Sequence, residues 1–144
     1  MNMTEDQLER ETLAWLADVG YTHIYGPDIA LDGSAPERSN YVQTVLVHRL
    51  HDAIDRLNPL IPLAAREDAL QQVSNLDTPV LLSANRAFHR LLINGVPVEY
   101  QKDGETRGDF VRLIDFADVA ANEWLAVNQF SIRGPHHARR PDII

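Results

Sequence analysis

Arg139-Arg140-Pro141-Asp142-Ile143-Ile144 reads as a basic turn running into an apolar strand, with one carboxylate at the strand's mouth. Pro141 has no N–H to give to a ladder, so it suits a strand's first position or an edge. Asp142 then stands at a sheet end, a common place for ligand and metal sites in α/β enzymes. A turn salt bridge is the competing reading of so short a motif, and the rest of the chain has to decide between them.

Immediately upstream, between Trp124 and Pro141, there is no Asp or Glu, while Arg133, His136, His137, Arg139 and Arg140 all occur there. The chain as a whole carries a net charge of −8, which excludes a uniformly basic nucleic-acid binder but leaves room for a local basic patch. Arg133, Arg139 and Arg140 are the candidate DNA contacts, because a guanidinium fork matches phosphate oxygens and released counterions favour binding. The alternative is a charged loop that solvates the strand entry. His136 and His137 have neither cysteines nor spaced acids beside them and do not read as zinc ligands.

Further back the pattern alternates. Val96-Pro97-Val98-Glu99-Tyr100 has the two-residue period of a half-buried strand, with Pro97 favouring an edge. The polar loop 102–108 returns into Phe110-Val111-Arg112-Leu113-Ile114-Asp115-Phe116, apolar on both faces and so predicted to be central. Residues 118–123 read as a turn, Trp124 to Ile132 as a third strand, and Pro141 onward as a fourth. The expectation is a largely antiparallel three-stranded sheet over 96–132 with Asp142 near one end.

Helices precede it. Thr4-Glu5-Asp6-Gln7 fits a capping box, Leu8, Leu13, Leu16 and Val19 supply an apolar face, and Gly20 a stop. Tyr21–Tyr25 reads as a short strand and Gly26–Asn40 as an irregular connection. A second helix is expected over Tyr41–Leu57, a third over Leu63–Leu76, and a fourth after Ser83 ending at Asn94-Gly95. His48 and His51 are three apart rather than four, which argues against a zinc pair. His89 reads as a surface histidine.

A length of 144 residues fits one domain, residues 1–144, with 44% hydrophobic and 24% charged residues as in ordinary globular proteins. Zero cysteines exclude disulfides and thiolate sites. No apolar run is of spanning length and the start lacks a signal-peptide pattern, so the expected location is the cytoplasm, away from membranes.

With those elements in place, the chain resembles the N-terminal region of the restriction (R) subunit of type I restriction-modification enzymes. The matching stretches are Leu8-Glu9 with Leu16 and Gly20-Tyr21, Arg56-Leu57-Asn58-Pro59, Asn85-Arg86-Ala87-Phe88-His89 and Asn94-Gly95-Val96. Arg112-Leu113-Ile114-Asp115-Phe116, Asn128-Gln129-Phe130 and Arg140-Pro141-Asp142-Ile143 follow in the same order. The resemblance implies an α/β, restriction-endonuclease-like PD-(D/E)xK nuclease core, in which helices lead into a mostly antiparallel sheet. It makes Asp142 the first acid of the motif. The Glu-x-Lys half and the ATP-driven translocase domains do not occur in these residues, which reads as a piece cut within the nuclease domain. The implied activity is Mg²⁺-dependent cleavage of duplex DNA by the full subunit, a type I site-specific deoxyribonuclease, with this piece alone inactive. ATP would serve only the translocase domains. Methyltransferase (M) and specificity (S) subunits are the implied partners.

Hydrolysis of a phosphodiester requires an in-line water and neutralisation of charge in the transition state, and Mg²⁺ held by hard oxygen ligands supplies both. Asp142 is expected to be a catalytic metal ligand. Glu9 is the second candidate, since related nuclease folds aim an acid from the first core helix at the metal; a solvated helix face is its alternative. Glu11 lies half a turn away and is easily confused with it. Asp115 reads better as a turn or cap partner. From another functional class comes a non-catalytic docking module, in which helices 41–57 and 63–76 contact translocase or methyltransferase subunits.

Overall fold

Thr4 starts the first helix as its sequence requires. Its hydroxyl accepts from the Gln7 N–H at 3.3 Å and the Gln7 side chain accepts from the Thr4 N–H at 3.0 Å. The structure, a computed structural model, describes residues 3–76 and 79–144. Its contacts divide the chain into two units, Met1–Leu46 with Glu123–Ile144, and Val47–Asn122. It is a mixed α/β fold with small sheets. Among the described residues no helix is long and apolar enough to cross a membrane.

The first unit contains helix α1 (Glu5–Asp18), strand β1 (Thr22–Tyr25) and a 3₁₀ turn over Gly26–Ile29. From the C-terminal part of the chain it takes β4 (Leu125–Asn128) and a short hairpin of β5 (Ile132–Arg133) with β6 (Ala138–Arg139). β1 and β4 pair in parallel, Thr22 opposite Leu125 through Tyr25 opposite Asn128. The last residues lie antiparallel along the other side of β4, with reciprocal bonds of 2.9 Å between Val127 and Ile144 and a Gln129 N–H to Asp142 C=O bond of 3.0 Å. Ile29, Val127 and Phe130 form the buried centre, flanked by Ile24, Leu46, Leu125 and Ile132.

The second unit contains α2 (Val47–Leu57), α3 (Leu63–Ser74), α4 (Leu81–Asn94) and the antiparallel hairpin of β2 (Val96–Lys102) with β3 (Glu105–Val111). Ile54 of α2, Ala69 and Val73 of α3, and Val96, Val98 and Val111 of the hairpin close its core. No side chain of α4 is fully buried. Gly95 ends α4 at φ 82°, a conformation that favours glycine.

Four expectations are corrected. The three-stranded antiparallel sheet over 96–132 does not form: β2 and β3 pair only with each other, and the next strand pairs in parallel with β1. Alternation identifies a strand, but its partner is chosen by which apolar faces meet, and that depends on distant residues. The strand expected over 110–116 runs instead over 105–111, exposed except at Val111. The Asn58 side chain takes over both backbone groups of Arg112, accepting its N–H and donating to its C=O at 2.8 Å each, so the ladder stops one residue earlier. The third strand, expected to run to Ile132, ends at Asn128, because Gln129 adopts φ 55° and turns the chain.

The second helix begins at Val47 rather than Tyr41, for a related reason. The buried Arg38 guanidinium holds the carbonyls of Tyr41, Gln43 and Ser131 at 3.1, 2.9 and 2.8 Å. The Asn40 side chain caps the N–H groups of Val42 and Gln43 at 2.9 Å each. The Tyr41 and Gln43 carbonyls, which a helix starting at Tyr41 would offer to the N–H groups four residues on, are turned to Arg38 instead. Arg38 also lies 4.0 Å over the Phe130 ring, and its burial lowers its pKa, against an opposing contribution from Tyr41.

Candidate functional site

Parallel pairing brings the C-terminal ends of β1 and β4, Tyr25 and Asn128, to the same edge. The segment beginning at Asp142 runs antiparallel to β4, so its first residue arrives at that edge too. Gly26 makes the approach possible: a Cβ there would come within 2.6 Å of the Asn128 carbonyl oxygen and 2.8 Å of that of Gln129. Ligand crevices of α/β proteins lie outside such strand ends.

A cavity of about 470 Å³ opens at this edge. The first two turns of α1 contribute Glu5, Asp6, Glu9 and Arg10, the strand ends contribute Tyr25, Asn128 and Gln129, and the C-terminal segment contributes Arg140 and Asp142. Glu9 is partly buried and held at both oxygens: Asn128 Nδ2 donates to Oε1 at 2.6 Å and Gln129 Nε2 to Oε2 at 2.8 Å. Asn128 is itself 8% exposed, and its Oδ1 lies 2.7 Å from His23 Nε2. Among the described residues the exposed Asp142 carboxylate has no hydrogen bond or ion pair. Nor do any three His, Asp or Glu side chains among them form a group that could hold a metal ion.

Glu9, Asp142 and Arg140 are thus brought together from the two ends of the chain. Arg133 and Arg139 are not among the lining residues. They sit on the β5–β6 hairpin, where Arg133 pairs with Ala138 and Arg139 with Ile132. Glu11 does not line the cavity, and its side chain is exposed.

Asp115 belongs to the other unit and is a turn cap, accepting the N–H groups of Ala117 and Asp118 at 2.9 Å each and pairing with Arg112 at 3.1 Å. The Asp118 and Ala117 N–H bonds, with a smaller contribution from Arg112, hold its pKa below the usual carboxylate value against a desolvation effect of opposite sign. Arg10, Tyr25 and the clamping amides of Asn128 and Gln129 went unassigned in the sequence reading. The legible signal for the last two was a pair of carboxamides closing the apolar strand Leu125–Val127.

The chain matches the family described as the type I restriction enzyme R protein N terminus, over residues 2–144. It belongs to that family. It is 34% identical over 143 residues to a protein of Haemophilus influenzae named "Type I restriction enzyme HindI endonuclease subunit". It is 31% identical over 146 residues to one of Methanocaldococcus jannaschii named "Putative type I restriction enzyme MjaIXP endonuclease subunit". Each alignment covers 99% of this chain, which spans only 14% of either relative's length. No solved structure gives a significant match.

Proposed function

We propose that this chain supplies part of the metal-holding centre of a DNA endonuclease, within a type I R subunit whose PD-(D/E)xK motif begins at Pro141-Asp142. One observation carries the reading: Glu9 and Asp142 line the same cavity, with Arg140 beside them, in a chain of this family. The donor set fits magnesium. The two carboxylates are hard oxygen donors, no cysteine exists, and no histidine lines the cavity. Mg²⁺ commonly takes one or two carboxylates and completes its octahedron with water and substrate phosphate, so a group of three protein acids is not required.

Asp142 and Glu9 would hold the ion, which when bound lowers the pKa of a water and neutralises phosphoryl charge. The amide bonds to Glu9 leave part of its acceptor capacity open, since a carboxylate offers about four lone-pair sites. Arg140 binds and orients a DNA phosphate at the cavity. Arg139 and Arg133 extend the basic surface along the hairpin, contacting backbone rather than bases and so adding affinity without sequence preference. Sequence reading is assigned to the S subunit, methylation to the M subunit and ATP use to translocase domains of the full enzyme. The docking alternative has less support, because α2 and α3 bury their apolar sides in their own unit's core.

The test combines metal binding and cleavage. Mn²⁺, a paramagnetic stand-in for Mg²⁺, should broaden NMR signals of Glu9 and Asp142 in the 144-residue chain, and Asp142→Asn should abolish this. In the complete subunit Asp142→Asn should eliminate DNA cleavage while ATP hydrolysis persists, since lost charge stabilisation and water activation are each worth several kcal/mol of barrier, about a thousandfold or more in rate. The chain by itself should not cleave at a useful rate. Cleavage retained by the Asn variant would remove Asp142 from the centre.

A further inference from the structure

Asn128 and Gln129 are used by neither the metal nor the phosphate in this scheme, yet the site is built around them. Successive side chains of a strand point to opposite faces. Asn128 and Gln129 nevertheless both reach Glu9, one carboxamide on each oxygen. The chain achieves this by leaving the strand at Gln129, whose φ of 55° is in the left-handed region that a residue with a Cβ rarely adopts. Backbone in such a conformation persists only where its surroundings over-determine it, and it concentrates at functional sites. The same residue reaches the second acid through its main chain, its N–H donating to the Asp142 carbonyl at 3.0 Å. Gln129 therefore ties Glu9 by side chain and Asp142 by backbone.

His23 fixes the other amide. A carboxylate only accepts, so the Asn128 group facing Glu9 must be the NH₂, and its oxygen must face His23. That oxygen in turn needs the proton on Nε2, a requirement met both by one neutral tautomer and by the imidazolium, so the bond does not depend on the charge of the ring. His23 is itself an exposed residue, and its bond to Asn128 is partly buried.

We infer that Asn128 and Gln129 are a positioning clamp that sets the Glu9 carboxylate relative to Asp142, with His23 locking the Asn128 amide in its donating orientation. The inference rests on the reading of Glu9 and Asp142 as ligands for its consequence, and on the hydrogen bonds for its existence. Outer partners of this kind commonly contribute ten- to a hundredfold to metal affinity.

Three variants of the 144-residue chain test it. Gln129→Gly keeps a residue suited to positive φ but removes the amide. His23→Ala removes the donor at an exposed position, and His23→Gln restores an N–H. The expected result is an Mn²⁺ dissociation constant raised about tenfold in Gln129→Gly and His23→Ala and near wild type in His23→Gln, with the thermal unfolding of all three little changed. A merely structural role would move the melting temperature instead. In parallel, Glu9→Gln should shift the side-chain ¹H–¹⁵N signals of both Asn128 and Gln129. Wild-type Mn²⁺ affinity in Gln129→Gly and His23→Ala overturns the clamp. If the wild-type chain binds no Mn²⁺ at Glu9 and Asp142, the metal reading fails by itself. The amide signals then decide: shifted by Glu9→Gln, they uphold the clamp; unshifted, they refute it.

Discussion

Asn58→Ala is the most incisive perturbation of the second unit. Asn58 is 4% exposed, and its side chain makes three hydrogen bonds of 2.8 Å, to the Ile54 carbonyl and to both backbone groups of Arg112. Alanine removes all three and leaves an N–H and two carbonyls needing new partners. An orphaned buried polar group costs about 1–3 kcal/mol. The Ile54 carbonyl still accepts the Asn58 N–H at 3.1 Å, and Arg112 is exposed enough for water to recover part of its loss. The expected cost is therefore about 3 kcal/mol rather than the full sum. Asn58→Asp should cost more than alanine, because it sets a carboxylate against the Ile54 and Arg112 carbonyl oxygens that Nδ2 now serves. Both tryptophans, Trp15 and Trp124, lie in the other unit, so the probe is far-UV circular dichroism, whose helical signal comes mostly from α2, α3 and α4 and otherwise from α1, with tryptophan fluorescence as the internal comparison. With a urea m-value of about 1 kcal/mol/M for so small a unit, the circular dichroism midpoint should fall by about 3 M. A loss below about 1 kcal/mol, or an Asp variant more stable than the Ala variant, would refute the account of why β3 ends at Val111.

Other outcomes are equally specific. Asp115 has a lowered folded-state pKa, so its contribution is complete above the unfolded carboxylate value of about 3.9 and fades as pH falls through the lower folded one. The stability gap between wild type and Asp115→Asn should accordingly be full at pH 7 and close as pH falls through the lowered folded-state value in urea melts. Replacing Arg139 and Arg140 by Ala should lower affinity for duplex DNA to a similar degree across sequences and flatten its salt dependence, as fluorescence anisotropy over a salt series would show; unchanged affinity would remove both from the interface. Gly26→Ala places a Cβ against two backbone oxygens that cannot rotate away, and should destabilise the first unit by about 1–3 kcal/mol in a fluorescence-detected melt.

What could be read from the sequence alone was whatever is written within a few residues. The capping box at Thr4, the helices that became α3 and α4, the stop at Gly95, the short strand after Gly20 and the alternation at Val96–Tyr100 all follow from local sterics and hydrogen bonding. Family membership was legible too, because short stretches such as Asn128-Gln129-Phe130 and Arg140-Pro141-Asp142-Ile143 keep their order along the whole chain.

Strand partners and true element ends were decided only in three dimensions. Helix α2 lost its first expected turns to Arg38, a buried cation that takes carbonyls from both Tyr41 and the distant Ser131. β3 lost its last residues to Asn58, whose amide duplicates a strand neighbour's bonds. The site shows the same division. Asp142 was conspicuous as an acid at a strand entrance, and Glu9 as an acid on a capped helix. That both line one cavity, and that two carboxamides and a histidine hold one of them in place, depends on β4 pairing with β1 on one side and with the C-terminal segment on the other. Local patterns record which side chains are apolar, polar or able to turn the chain. They do not record which distant segment meets them, because that choice is made by the summed burial and hydrogen bonding of many residues at once.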